Sequence, residues 1–106
     1  MFKVQATSDH IVVTKGDKFR IELVPNEVAK ATNLIGIALS MGNMDTVPSH
    51  IADSPFVVRF FQDGLMAFER RDREGSVPFK NEDGDELIRN LQSGLQLAIN
   101  ERTLVQ

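Results

Sequence analysis

Alternation dominates the first quarter of the chain. Between residues 2 and 24, Phe2, Val4 and Ala6, then Ile11 and Val13, then Phe19, Ile21 and Leu23 alternate with mostly polar neighbours, the period of strands that bury one face. Ser8-Asp9 and Lys15-Gly16-Asp17 interrupt the pattern and are short enough to close antiparallel hairpins. With loops of two and three residues, Val4, Val13 and Phe19 lie abreast, as do Ala6, Ile11 and Ile21. Every large apolar side chain except Val12 then shares one face. Lys3, Gln5, Thr14, Lys18, Arg20 and Glu22 occupy the other, as in a sheet packed on one side and wet on the other.

The period then changes. Within "VPNEVAKATNLIGIALSMG", Val28, Ala31, Ile35 and Ala38 recur at helical spacing behind Asn26, a residue type that caps helices. Leu34, Ile37 and Met41 add a second stripe, so this helix is expected to be deeply buried or to meet a partner. Residues 42–55, mixing Gly, Pro, Ser and Asp, form a connecting loop.

Strand periodicity returns at residues 56–61, reverses at Asp63-Gly64 and continues through residues 65–71. "SVPFK" adds a short third strand, which Pro78 is expected to confine to an edge. The closing stretch "DELIRNLQSGLQLAINER" places Leu87, Ile88, Leu91, Leu95, Ala98 and Ile99 on one helical stripe. Asp83 or Asp85 is its expected cap, and Gly94 lies on the apolar side, where a small residue permits close approach. The order β-β-β-α occurs twice, as a pseudo-repeat of residues 2–41 and 56–100. It predicts one α+β domain spanning residues 1–106, an antiparallel sheet with both helices on one face.

The second ribbon differs from the first. With a two-residue Asp63-Gly64 turn, Gln62 faces Leu65, Phe61 faces Met66, Phe60 faces Ala67 and Arg59 faces Phe68. One face then holds Phe56, Val58, Phe60, Leu65 and Ala67, and the other Val57, Arg59, Phe61, Met66, Phe68 and Arg70. Both sides are apolar near the turn, so Phe61, Met66 and Phe68 should be covered by this chain, by a second subunit or by stacked bases held between Arg59 and Arg70. Arg71 and Arg73 alternate with Glu69, Asp72 and Glu74, the mixed charge of a solvated turn.

Composition narrows the partners. Of 106 residues, 42% are hydrophobic and 25% charged, which is a globular mixture. The net charge of −3 repels a polyanion at long range, so nucleic acid would need a locally basic face. With no cysteine, disulfides, thiolate zinc and thiol catalysis are excluded, and a cytoplasmic location is expected. The start "MFKVQATSDH" lacks a signal-peptide pattern and no apolar run is long enough for a membrane span, so a soluble, unprocessed chain is expected.

The chain carries few groups suited to catalysis or metal binding. The only histidines are His10, at a turn, and His50, beside Ser49 and Asp53 in the central loop. A small enzyme using either is the third functional reading, since triads are made by spatial geometry and not by adjacency. "NEDGDE" does not fit a calcium loop: aligning Gly84 with the invariant glycine puts Phe79 first and Asn90 last. No phosphate-cradling glycine motif occurs. Neither a cofactor, a metal ligand set nor a catalytic residue is expected.

The segment "FVVRFFQDGLMAFERR", the charged turn after it, "SVPF" and the closing helix, together residues 56–99, resemble the Whirly proteins and the transcriptional positive cofactor family. That resemblance implies a curved antiparallel sheet backed by helices and binding of single-stranded DNA. Basic residues are common on those families' binding ribbons, and Arg59 and Arg70 match them in kind. The first expectation is a non-enzymatic binding or assembly module, homodimeric through the second ribbon or the first helix, or bound to another protein. In it Phe61, Met66 and Phe68 supply contact area and Arg59 and Arg70 rim it. The second makes the same surface a single-stranded nucleic-acid platform.

Overall fold

The computed structural model describes residues 1–41 and 54–105. The chain is α+β, and its described residues form a six-stranded antiparallel sheet with two long helices. In chain order these are β1 (Phe2–Ala6), β2 (Ile11–Lys15), β3 (Phe19–Leu23), α1 (Val28–Met41), β4 (Phe56–Phe60), β5 (Leu65–Arg70), β6 (Ser76–Lys80) and α2 (Gly84–Val105). The sheet order is β1-β2-β3-β6-β5-β4. His50 and most of the expected central loop lie outside the described residues.

The β1–β2 register is the expected one, with Val4 opposite Val13 and Ala6 opposite Ile11. Between β2 and β3 it moves by two residues, because the turn spans Gly16 to Lys18 and sets Lys15 opposite Phe19. An even displacement keeps every side chain on its face. Val13 therefore meets Ile21 and Ile11 meets Leu23, all four fully buried, while Phe19 is left exposed at the strand end.

Pro78 does not confine β6 to the sheet edge. β6 lies between β3 and β5, but its pairing with β3 is the single Arg20–Ser76 match. Beyond that match β6 has no ladder on its β3 side, so the amide that proline lacks is not needed there. Two cations close the seam from opposite directions. Lys15 of β2 donates through Nζ to the Pro78 carbonyl at 3.0 Å, and Arg70 of β5 donates through Nη1 to the Glu22 carbonyl at 2.9 Å.

Both helices start differently from expectation. A 3-10 turn, Pro25–Glu27, precedes α1, and the Val24 amide donates to the Glu27 carboxylate at 3.0 Å. Glu27 thus satisfies a free amide at the helix entrance, the task expected of Asn26. Another 3-10 turn, Asn81–Asp83, leads into α2, where neither Asp83 nor Asp85 makes the capping bond. Asp85 and Glu86 still lie in its first turn, where negative charge suits the helix dipole.

The core joins Phe2, Ile11, Val13, Ile21, Leu23, Phe56, Val58, Met66, Phe68, Val77 and Phe79 of the strands to Val28, Ala31, Leu34, Ile35, Ala38, Leu87, Leu91 and Ala98 of the helices. α2 crosses β1 and β2 at Gly94, where a Cβ would come within 2.5 Å of Ile11 Cγ2 and 2.9 Å of Val4 Cγ2. This is the close approach its sequence position implied. α1 packs against α2 and β4. Ile99, expected on the buried stripe, is exposed.

Candidate interaction surface

The arrangement of the second ribbon turns on one extra residue. Asp63 and Gly64 both take left-handed backbone, with φ of 63° and 74°, and the Leu65 amide donates to the Gln62 carbonyl. The Asp-Gly turn therefore forms where its sequence places it. The next bond, however, runs from the Phe61 amide to the Leu65 carbonyl at 2.8 Å. Phe61 and Gln62 together oppose Leu65, which is a bulge.

The bulge moves the register by one. Phe60 faces Met66, Arg59 faces Ala67, Val58 faces Phe68 and Phe56 faces Arg70. An odd displacement transfers a whole strand to the other face. Met66, Phe68 and Arg70 thereby join Phe56 and Val58 in the interior, and the Phe56 and Phe68 rings meet with centroids 5.0 Å apart. Leu65 and Ala67 pass to the opposite face, with Val57 and Arg59.

The expected five-residue surface is thus divided. Met66 and Phe68 are 3% and 0% exposed and are covered by the chain itself. Phe61 remains outside at the turn, 52% exposed. Arg59 is exposed and pairs with Glu69 at 2.8 Å, and the same Glu69 accepts a hydrogen bond from the Ser76 hydroxyl. Arg70 lies across the sheet from Arg59, so the two arginines do not flank one aromatic cluster.

Arg70 is the most heavily bonded side chain described. Its Nε donates to Asp72 Oδ1 at 2.9 Å, its Nη1 to the Glu22 carbonyl at 2.9 Å and to Glu27 Oε1 at 3.0 Å, and its Nη2 to Glu27 Oε2 at 2.9 Å and Asp72 Oδ2 at 3.0 Å. Every N–H of the guanidinium is used, and the group stacks over the Phe56 ring, 4.8 Å from its centroid. Burial alone would raise the Glu27 pKa, but the hydrogen bonds from Arg70 and the Val24 amide outweigh it and hold the carboxyl below its ordinary value. Asp72 is lowered chiefly by its hydrogen bond from Arg70. Arg70 is raised, first by its hydrogen bond to Glu27. These groups form a structural joint between β3, β5 and the start of α1.

The polar sides of the strands present a different surface. One cross-strand row, Lys3, Thr14, Arg20, Ser76, Glu69 and Val57, threads the whole sheet. Beside it lie Gln5, Val12 and Glu22 on one ribbon, and Arg59, Ala67, Pro78, Leu65 and Lys80 on the other. Lys3, Arg20, Arg59 and Lys80 are exposed, whereas Val12, Val57, Leu65 and Pro78 are half-buried. A cleft of about 390 Å³ opens at the seam between Lys18, Arg20, Glu22, Glu74 and Ser76.

His10 is exposed, with Nε2 3.6 Å from Glu22 Oε1. Among the described residues no group of three His, Asp or Glu side chains is placed to hold a metal ion, and no helix is long and apolar enough to cross a membrane. The joint at Arg70 carries no short sequence signal, since Glu27 stands 43 residues away. No protein family, curated protein or solved structure matches this chain.

Proposed function

We propose that the chain is a non-enzymatic binding or assembly module, homodimeric, that offers the polar face of its sheet to a further partner. In this reading the two ribbon-then-helix halves lay both helices on the core face, which leaves the polar face free. The composition of that face carries the reading. Exposed Lys3, Arg20, Arg59 and Lys80 stand over half-buried Val12, Val57, Leu65 and Pro78, with exposed Phe61 at the rim. Mixed cationic and apolar surface with an aromatic residue suits contact with another macromolecule. Arg59 and Phe61 make that contact, and Met66, Phe68 and Arg70 hold the ribbon beneath it.

Light scattering on the intact chain tests the assembly. The expected mass is twice the 11.8 kDa of one chain, and a single-chain mass at high concentration contradicts it.

A second reading, a platform for single-stranded nucleic acid, is favoured by one observation. Lys3, Arg20, Arg59 and Lys80 outnumber Glu22 and Glu69 on the polar face although the whole chain carries −3. A labelled oligonucleotide should then bind at low salt, lose affinity as salt rises, and bind more weakly to Arg59→Ala. Absence of any low-salt signal removes this reading.

A further inference from the structure

The two ends of the sheet are not equivalent. At one end, Phe56 and Val58 of β4 are 0% and 3% exposed, main chain included, and Phe60 is half-buried. At the other end, Phe2 of β1 is 6% exposed, whereas Val4 and Ala6 are half-buried. The Thr7 amide donates to the His10 carbonyl at 2.8 Å, continuing the register in which Gln5 faces Val12 and Lys3 faces Thr14. In an antiparallel ladder, residues bonded to the partner strand alternate with residues that point away. Lys3, Gln5 and Thr7 are therefore bonded to β2, and Phe2, Val4 and Ala6 turn their amides and carbonyls outward. No strand among the described residues pairs with that side.

We propose that a second copy of this chain pairs antiparallel with the β1 edge about a two-fold axis at Val4. The proposal rests on the homodimer reading and gives it an interface. An isologous contact must be self-complementary, and β1 is. Val4 meets Val4 of the second copy, Phe2 meets Ala6, and Lys3, the single charge in the strand, meets Gln5 and never its own mate. Each outward amide finds a carbonyl, the apolar row Phe2-Val4-Ala6 continues into the second core, and the polar faces merge into one surface of double width. Of the features that block an edge, β1 has its lysine but no proline and no bulge, and the more fully covered β4 leaves it as the end from which the described sheet can grow.

Ala6→Pro tests this edge without breaking the fold's own bonds, because the Ala6 amide points away from β2 and proline is tolerated there. The variant should keep the far-ultraviolet spectrum of the parent while its mass by light scattering falls by half. A second test does not depend on that variant folding. Lys3→Cys and Gln5→Cys, made separately in this cysteine-free chain, occupy opposed positions across the interface. Their Cα atoms would lie about 4.5 Å apart, within disulfide range. Refolded together under mild oxidation they should cross-link into a disulfide dimer, and each alone should not. A parent dimer that persists in folded Ala6→Pro, or a mixture that does not cross-link, overturns the β1 interface and leaves the homodimer reading intact. A monomeric parent overturns both.

Discussion

Arg70 and Glu27, 43 residues apart in the chain, are joined by two parallel hydrogen bonds of 2.9 and 3.0 Å. The Arg70 side chain is 2% exposed, so its charge is matched where water does not reach. Arg70→Ala removes five hydrogen bonds and leaves Glu27, whose side chain is 18% exposed, without its cation. It should lower the unfolding free energy by about 1–3 kcal/mol, measured as a shift of the urea midpoint. Arg70→Lys should recover little, since an ammonium cannot bond Glu27, Asp72 and the Glu22 carbonyl in one planar fork.

The same joint sets a direction for acid sensitivity. Glu27 and Asp72 have lowered native pKa values, so the folded state binds fewer protons than the unfolded one. Their contribution is fully present above the ordinary carboxylate range, about 4, and is lost as pH falls through the lowered native values. Glu27→Gln should be less stable at neutral pH and should show a shallower loss of stability on acidification. Urea titrations at a series of pH values measure both effects.

Gly94 and Gly36 give a matched pair. A Cβ at Gly94 meets Ile11 and Val4, whereas one at Gly36 in α1 meets nothing within 4 Å. Overpacking costs about 1–3 kcal/mol, more than the helix propensity gained. Gly94→Ala should therefore destabilise, while Gly36→Ala should stabilise by about 0.5–1 kcal/mol. Thermal unfolding of the two variants should move in opposite directions.

What was legible in the sequence follows from what periodicity encodes. The strands and both helices announce themselves, because burial repeats every two residues in one and every three to four in the other. The β2–β3 register is displaced by two and costs the reading nothing about faces. At the second turn the Asp-Gly signal is right, but it does not reveal the bulge at Phe61 and Gln62. That single residue exchanges the faces of Met66, Phe68 and Arg70 with those of Leu65 and Ala67. Nor does local pattern pair Arg70 with Glu27, since tertiary folding alone brings β5 to the start of α1. Pro78 shows the same limit: its chemistry demands one unpaired side, which the seam beside β3 supplies inside the sheet.

The division of the second ribbon, with Arg59 and Phe61 outside and Met66 and Phe68 within, decides which side chains a partner can reach. Because the chain has no cysteine, thiol labelling of Arg59→Cys and Met66→Cys under native conditions reads that division directly. The cysteine at 59 should react at the rate of a free thiol, and the cysteine at 66 only as fast as the protein opens. Equal rates in the folded state would place Met66 on the surface and contradict the bulged register.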